Sequence, residues 1–92
     1  MKAFKFTGFG NYSFCHGWDN GLSCNLKEEV DFSLAIEGLG SVFCGEVVET
    51  LINEYGGSRN AEGFVFASSR ELAEKALKDY ENSFEVIEYQ QD

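Results

Sequence analysis

A chain of 92 residues with sixteen acidic and seven basic side chains, net charge −9, has room for one domain, residues 1–92, and for one core. The acid excess excludes direct binding to duplex DNA, which must be neutralised by Lys and Arg, and favours a partner whose own surface is basic. Nine Phe, four Tyr and one Trp supply enough large apolar surface to exclude disorder despite that charge.

The N-terminal stretch MKAFKFTGFG is interrupted by Gly8 and Gly10 and lacks the apolar run of a secretory leader. No stretch approaches the ~20 apolar residues that span a bilayer, so no membrane partner is expected. Cys15, Cys24 and Cys44 form an odd set, read as reduced thiols of a cytoplasmic protein.

Phe4 and Phe6 alternate with Lys5 and Thr7, the period of a half-buried strand. Gly10-Asn11 is a turn signal, and Tyr12 and Phe14 resume the alternation beyond it, which predicts a hairpin over residues 2–15. HGWDNGLSC, residues 16 to 24, has the composition of a loop or wide turn, with Trp18 at a mobile tip between Gly17 and Asp19-Asn20-Gly21. Leu22, Cys24 and Leu26 alternate, and so do Val30, Phe32, Leu34 and Ile36, with Asp31, Ser33, Ala35 and Glu37 on the other side. With Lys27-Glu28-Glu29 between them, these runs form a second predicted hairpin.

Gly38-Leu39-Gly40 ends the sheet run. Val47, Val48, Leu51, Ile52 and Tyr55 then recur as one stripe of an amphipathic helix, with Gly56 placed as its left-handed C-cap. Phe64 and Phe66 mark a short strand. Ser68 and Glu71 match a capping box that opens a second helix, with Leu72, Ala73, Ala76, Leu77 and Tyr80 as its apolar stripe. Residues 84 to 89 read as a final strand. The order predicts an α+β domain: an antiparallel sheet of about four to five strands with two helices packed on one face.

Reaction chemistry is thinly represented. Cys15, His16, Cys24 and Cys44 contain no C-x2-C or C-x4-C pair, and adjacent residues of a strand face opposite ways. A thiolate pair of Cys15 or Cys24 with His16, oriented by Asp19, would need an electropositive setting that a chain of charge −9 opposes. GLGSVFCG, residues 38 to 45, lacks the Lys-Ser/Thr of a phosphate loop. No catalytic residue, metal ligand or cofactor site is assigned.

Two surfaces have the character of interfaces. Glu46 and Glu49 fall opposite the apolar stripe of the first predicted helix, where carboxylates three or four positions apart lie ~5–6 Å from each other, near the spacing of nucleic-acid phosphates. Glu28, Glu29 and Asp31 cluster at a strand entry. The second surface is the Gly- and aromatic-rich stretch of residues 8 to 21, where Tyr12, Trp18 and Asp19 could anchor a partner. Arg59 and Asn60, on a Gly-Gly-Ser loop, add polar contacts.

In small size, strong acidity and absence of reaction chemistry the chain resembles phage-encoded anti-CRISPR proteins, particularly those acting on type I-F surveillance complexes. The resemblance spans the whole length and rests on character, with no shared motif. It implies a cytoplasmic inhibitor that binds Cas proteins with their guide RNA and blocks target DNA, by occupying the basic channel or preventing a conformational step. Three other readings stand beside it: an acidic DNA mimic directed at a restriction, repair or nucleoid protein, a small metal-binding regulator or enzyme built on Cys15, His16 and Cys24, and a housekeeping subunit whose acidity is incidental.

Overall fold

The computed structural model describes residues 1–13, 17–55 and 58–83. Four antiparallel strands form one sheet: β1 (Lys2–Ser13), β2 (Gly17–Val30), β3 (Glu46–Tyr55) and β4 (Ser58–Ala67). Two hairpins, β1–β2 and β3–β4, join side by side through β1 and β4, so the strand order is β2-β1-β4-β3. Long strands give an elongated body of 49 × 24 × 22 Å. A single helical turn, α1 (Phe32–Ala35), lies between the hairpins, and α2 (Arg70–Asn82) follows β4.

The sheet is covered on both faces. On one, Phe4, Phe6, Val65 and Ala67 pack against Ala73 and Leu77 of α2. On the other, Ala3 and Phe66 pack against Ala35 of α1, with Phe32, Ile36, Val42 and Val48 completing the layer. Neighbouring residues such as Ala3 and Phe4, or Val65 and Phe66, serve opposite layers because strand side chains alternate. The α+β class holds. Of the two helices expected on one face only α2 forms, and the opposite face is closed by the connection that contains α1, a turn within a stretch expected to be strand.

Several expected elements differ. The stretch read as the first helix is β3. Val47, Val48, Thr50 and Ile52 are β-branched and suit a pleated surface. Adjacent Val47 and Val48 resemble one helical stripe, yet they feed the two opposite layers. The pairing shifts register between Glu49 and Leu51, which further masks the strand period.

The predicted strand Val30–Ile36 is broken by Asp31. Its carboxylate accepts from the Ser33 backbone N–H at 2.9 Å, and Ala35 N–H donates to Asp31 O at 3.0 Å, the geometry of an N-cap. Gly38, Gly40 and Gly45, with φ of 82°, 80° and 91°, then turn the chain toward β3 in conformations that other residues rarely adopt.

Gly10-Asn11 is not a turn: β1 runs through it, pairing with β4 as far as Asn11 opposite Ser58. The loop expected at residues 16 to 24 is strand from Gly17 onward, and β2 continues through Lys27-Glu28-Glu29. The α2 prediction holds with its cap one residue later: Ser69 Oγ accepts from Leu72 N–H at 3.3 Å, and Glu71 sits in the first turn. Of its stripe, Ala73 and Leu77 are buried while Leu72 is exposed. The expected C-cap at Gly56 and the strand at residues 84 to 89 lie outside the described residues.

Candidate functional site

Where α2 crosses the sheet, side chains from three elements meet at Glu49. Its Oε1 accepts from the Tyr80 hydroxyl and from Trp18 Nε1, the latter at 3.3 Å. Register explains the meeting: Glu49 lies opposite Gly63, on the face that α2 covers. At the next residue of α2, Glu81 Oε2 accepts from the Cys24 backbone N–H at 3.0 Å.

Burial pushes the Cys24 thiol up to about 12, with the Glu81 and Glu49 charges adding to it. Burial, then the hydrogen bond to Glu49, holds the Tyr80 hydroxyl above its ordinary value. Both groups stay protonated at neutral pH, so the cluster holds structure and offers no activated nucleophile.

The aromatic stretch packs inward. Trp18 is 5% exposed and joins Leu22 and Ala61 in a cluster flanked by Tyr12, Cys24 and Tyr80. Tyr12 meets Trp18 edge-on at 5.2 Å, and the Arg59 guanidinium lies 4.4 Å over the Tyr12 ring. Trp18 is therefore a core residue and not a mobile tip, because the register, shifted between Gly10 and Tyr12, places Tyr12 opposite Trp18. Asp19 is part of β2, and its side chain lies outside the described residues. Asn60 is exposed on the opposite face of the sheet.

The carboxylates divide in the same way. The helical row of Glu46 and Glu49 does not exist. In β3 the two lie on opposite faces, where Glu49 ties Tyr80 and Trp18, and Glu46 accepts from the Phe43 N–H at 2.9 Å. Glu28 and Glu29 are exposed at the end of β2, beside lysines: Lys2 approaches Glu29 at 3.9 Å. Lys5 pairs with Glu62 at 2.8 Å, and that bond, with Glu62 and Glu28 charges, raises the Lys5 pKa. Asp31 is committed to its cap.

A shallow cleft of about 520 Å³ runs over the sheet between Thr7, Phe9, Ser23, Asn25, Asn60 and Glu62. Its lining mixes polar and apolar side chains, and Glu62 is the one titratable group among them. Of the metal set, Cys24 is half-buried and Cys44 exposed, while Cys15 and His16 lie outside the described residues. Among the described residues no three His, Cys, Asp or Glu side chains are gathered around one point. Nor is any described helix long and apolar enough to cross a membrane.

The connection from α1 to β3 carries a surface that the sequence reading missed. Phe43 is 77% exposed and Leu34 70%, with Leu39 also exposed nearby in the chain. Two sequence signals could have found it. The positive-φ glycines bracket the loop, and all seven charged residues between Lys27 and Arg59 are acidic.

No protein-family model matches the chain, and neither a curated protein nor a solved structure is found to match it.

Proposed function

We propose that this chain is a binding protein that inhibits a nucleic-acid-binding complex, specifically a type I-F CRISPR surveillance complex, by occupying basic surface that would otherwise hold target DNA. One observation carries the reading: a run of 31 residues, 28 to 58, without a single basic side chain, on a chain of net charge −9. A chain with this charge balance is attracted to proteins that bind nucleic acid and repelled by nucleic acid itself. The inward-facing cluster around Glu49 supports the choice of binding over catalysis, since its thiol and phenol both hold their protons. The protein acts in the cytoplasm of the host cell, where Cas proteins and guide RNA assemble.

A carboxylate ladder imitating a nucleic-acid backbone is not favoured, because Glu46 and Glu49 point apart. Docking then depends on charge together with apolar contact. The test is size-exclusion chromatography of the full chain with a purified type I-F Cas–guide RNA complex, at low and at high salt, with target-DNA binding followed by gel shift. Co-elution that weakens as salt rises, with loss of DNA binding, is expected. No co-elution at low salt and undiminished DNA binding would overturn the proposal.

A further inference from the structure

The connection of residues 31–46 joins three properties: protruding apolar side chains, charges that are all acidic within the segment, and a fixed shape, with Lys75 of α2 lining a hollow beside Cys44 and Gly45. Phe43 and Leu34 are among the most exposed large hydrophobics of the described residues. Asp31, Glu37 and Glu46 are the only charged residues of the segment.

The segment is held from beneath. Phe32 packs edge-on against Phe66 at 5.9 Å, and Val42 and Ile36 pack on the buried Ala3–Ala35–Phe66 layer. Its turns are closed by Leu39 N–H to Ile36 O at 2.9 Å and Glu46 N–H to Phe43 O at 3.1 Å, and the Glu46 carboxylate fastens the Phe43 N–H. Val42 points in and Phe43 points out. A loop anchored in this way presents Phe43 with little ordering left to lose on binding.

We infer that the α1–β3 connection is the docking surface of this protein, with Phe43 and Leu34 as apolar anchors that enter a pocket rimmed by Lys and Arg on a protein partner. The assignment rests on the binding function proposed above and names its surface. Charge selects the occupant. Nucleic acid and anionic lipid are repelled by a segment with no basic group, and a second copy would set like charges against like across a two-fold contact. A basic protein surface meets the acidic rim favourably, while the aromatic centre supplies most of the affinity.

The test uses the full chain and the variants Phe43→Ser and Leu34→Ser, with Phe9→Ala as control, since Phe9 is an exposed aromatic outside the segment. Because both anchors project into solvent, folding is checked by thermal melting, and Leu34→Ser alone serves if Phe43→Ser melts early. Against the purified type I-F Cas–guide RNA complex, each anchor variant is expected to weaken binding about 10-fold or more and the control to leave it unchanged. Wild-type affinity in folded variants of both anchors overturns the surface.

Should the wild-type chain fail to bind that complex, the proposed function falls while the surface is still decided by a second probe. This is a synthetic amphipathic peptide of Lys and Leu, titrated into isotope-labelled protein. Amide shift changes confined to residues 31–46, and lost in Phe43→Ser, support the surface. Changes centred on Glu28 and Glu29 or on α2, or a wild-type dimer that Phe43→Ser converts to monomer, overturn it.

Discussion

The Tyr80 hydroxyl donates to the Glu49 carboxylate, fastening α2 to the edge strand β3, and Trp18 Nε1 donates to the same oxygen. One carboxylate thus satisfies two donors drawn from distant parts of the chain. Removing the acceptor takes a hydrogen bond from both donors, whereas removing one donor leaves the other bond intact. Glu49→Ala is therefore expected to lower unfolding free energy by about 2–3 kcal/mol, and Tyr80→Phe by about 1 kcal/mol. Glu49→Gln, which still offers an amide oxygen, should fall between them. Urea unfolding of the three variants checks the order; an equal loss in Glu49→Ala and Tyr80→Phe would mean that Trp18 draws nothing from Glu49.

Gly63 sits at a close backbone approach between β4 and β3. A Cβ there would collide with the Val48 carbonyl oxygen and lie 2.8 Å from the Phe6 ring. The first neighbour is backbone of the paired strand and cannot swing aside. Gly63→Ala is expected to cost about 4 kcal/mol or more, or to abolish soluble expression. Gly8→Ala provides the contrast, since the new methyl would meet Leu22 Cδ1 at 3.0 Å, the far end of a side chain that can rotate. A loss of about 1–2 kcal/mol is expected there. Similar melting temperatures for the two variants would show that the β3–β4 approach is looser than the geometry requires.

Trp18 is the single tryptophan of the chain and reports on its own environment. Packed beside Leu22 and Ala61, it should emit at short wavelength and resist iodide quenching, with both properties lost on unfolding. Trp18→Ala should cost about 3–5 kcal/mol, as for other large aromatic side chains removed from a core. Red-shifted, freely quenched emission from the folded protein would return Trp18 to the exposed tip that its Gly-rich neighbours suggest.

The elements legible in the sequence are those in which apolar and polar residues alternate cleanly. Lys5 and Thr7 separate Phe4, Phe6 and Gly8, and Ala73 and Leu77 lie one helical turn apart on α2 with charged residues between them. β3 is not among them, because its two faces are both covered: Val47 and Val48 are apolar in succession, and the register shift after Glu49 disturbs the alternation further. The same misreading carried the site with it, since Glu46 and Glu49 share a face only on a helix. Val30, Phe32, Leu34 and Ile36 read as one buried strand face, yet the Asp31 cap turns the segment into a helical turn and leaves Leu34 outside. A single local hydrogen bond decided between the two conformations, and nothing in the alternation signals it.

Cys24 makes the stability of this fold sensitive to alkali. Its thiol is pushed up to about 12 from an ordinary 9.0, so from pH 9 upward the unfolded chain releases a proton that the folded chain keeps. The unfolded state then binds fewer protons, and stability falls as pH rises through that window, having been fully present below it. Tyr80, also held above its ordinary value of 10.0, extends the loss at still higher pH. The urea midpoint should be level up to about pH 8.5 and decline beyond it, more shallowly in Cys24→Ser. The same burial predicts chemistry: with its thiol held well above the ordinary value, Cys24 is little ionised at pH 8, so alkylation mapped by mass spectrometry should label exposed Cys44 at least about 10-fold faster. Equal labelling of Cys24 and Cys44 in folded protein would mean that α2 lifts from the sheet often enough to expose the thiol, and the tie between Glu49 and Tyr80 would then be weaker than its geometry implies.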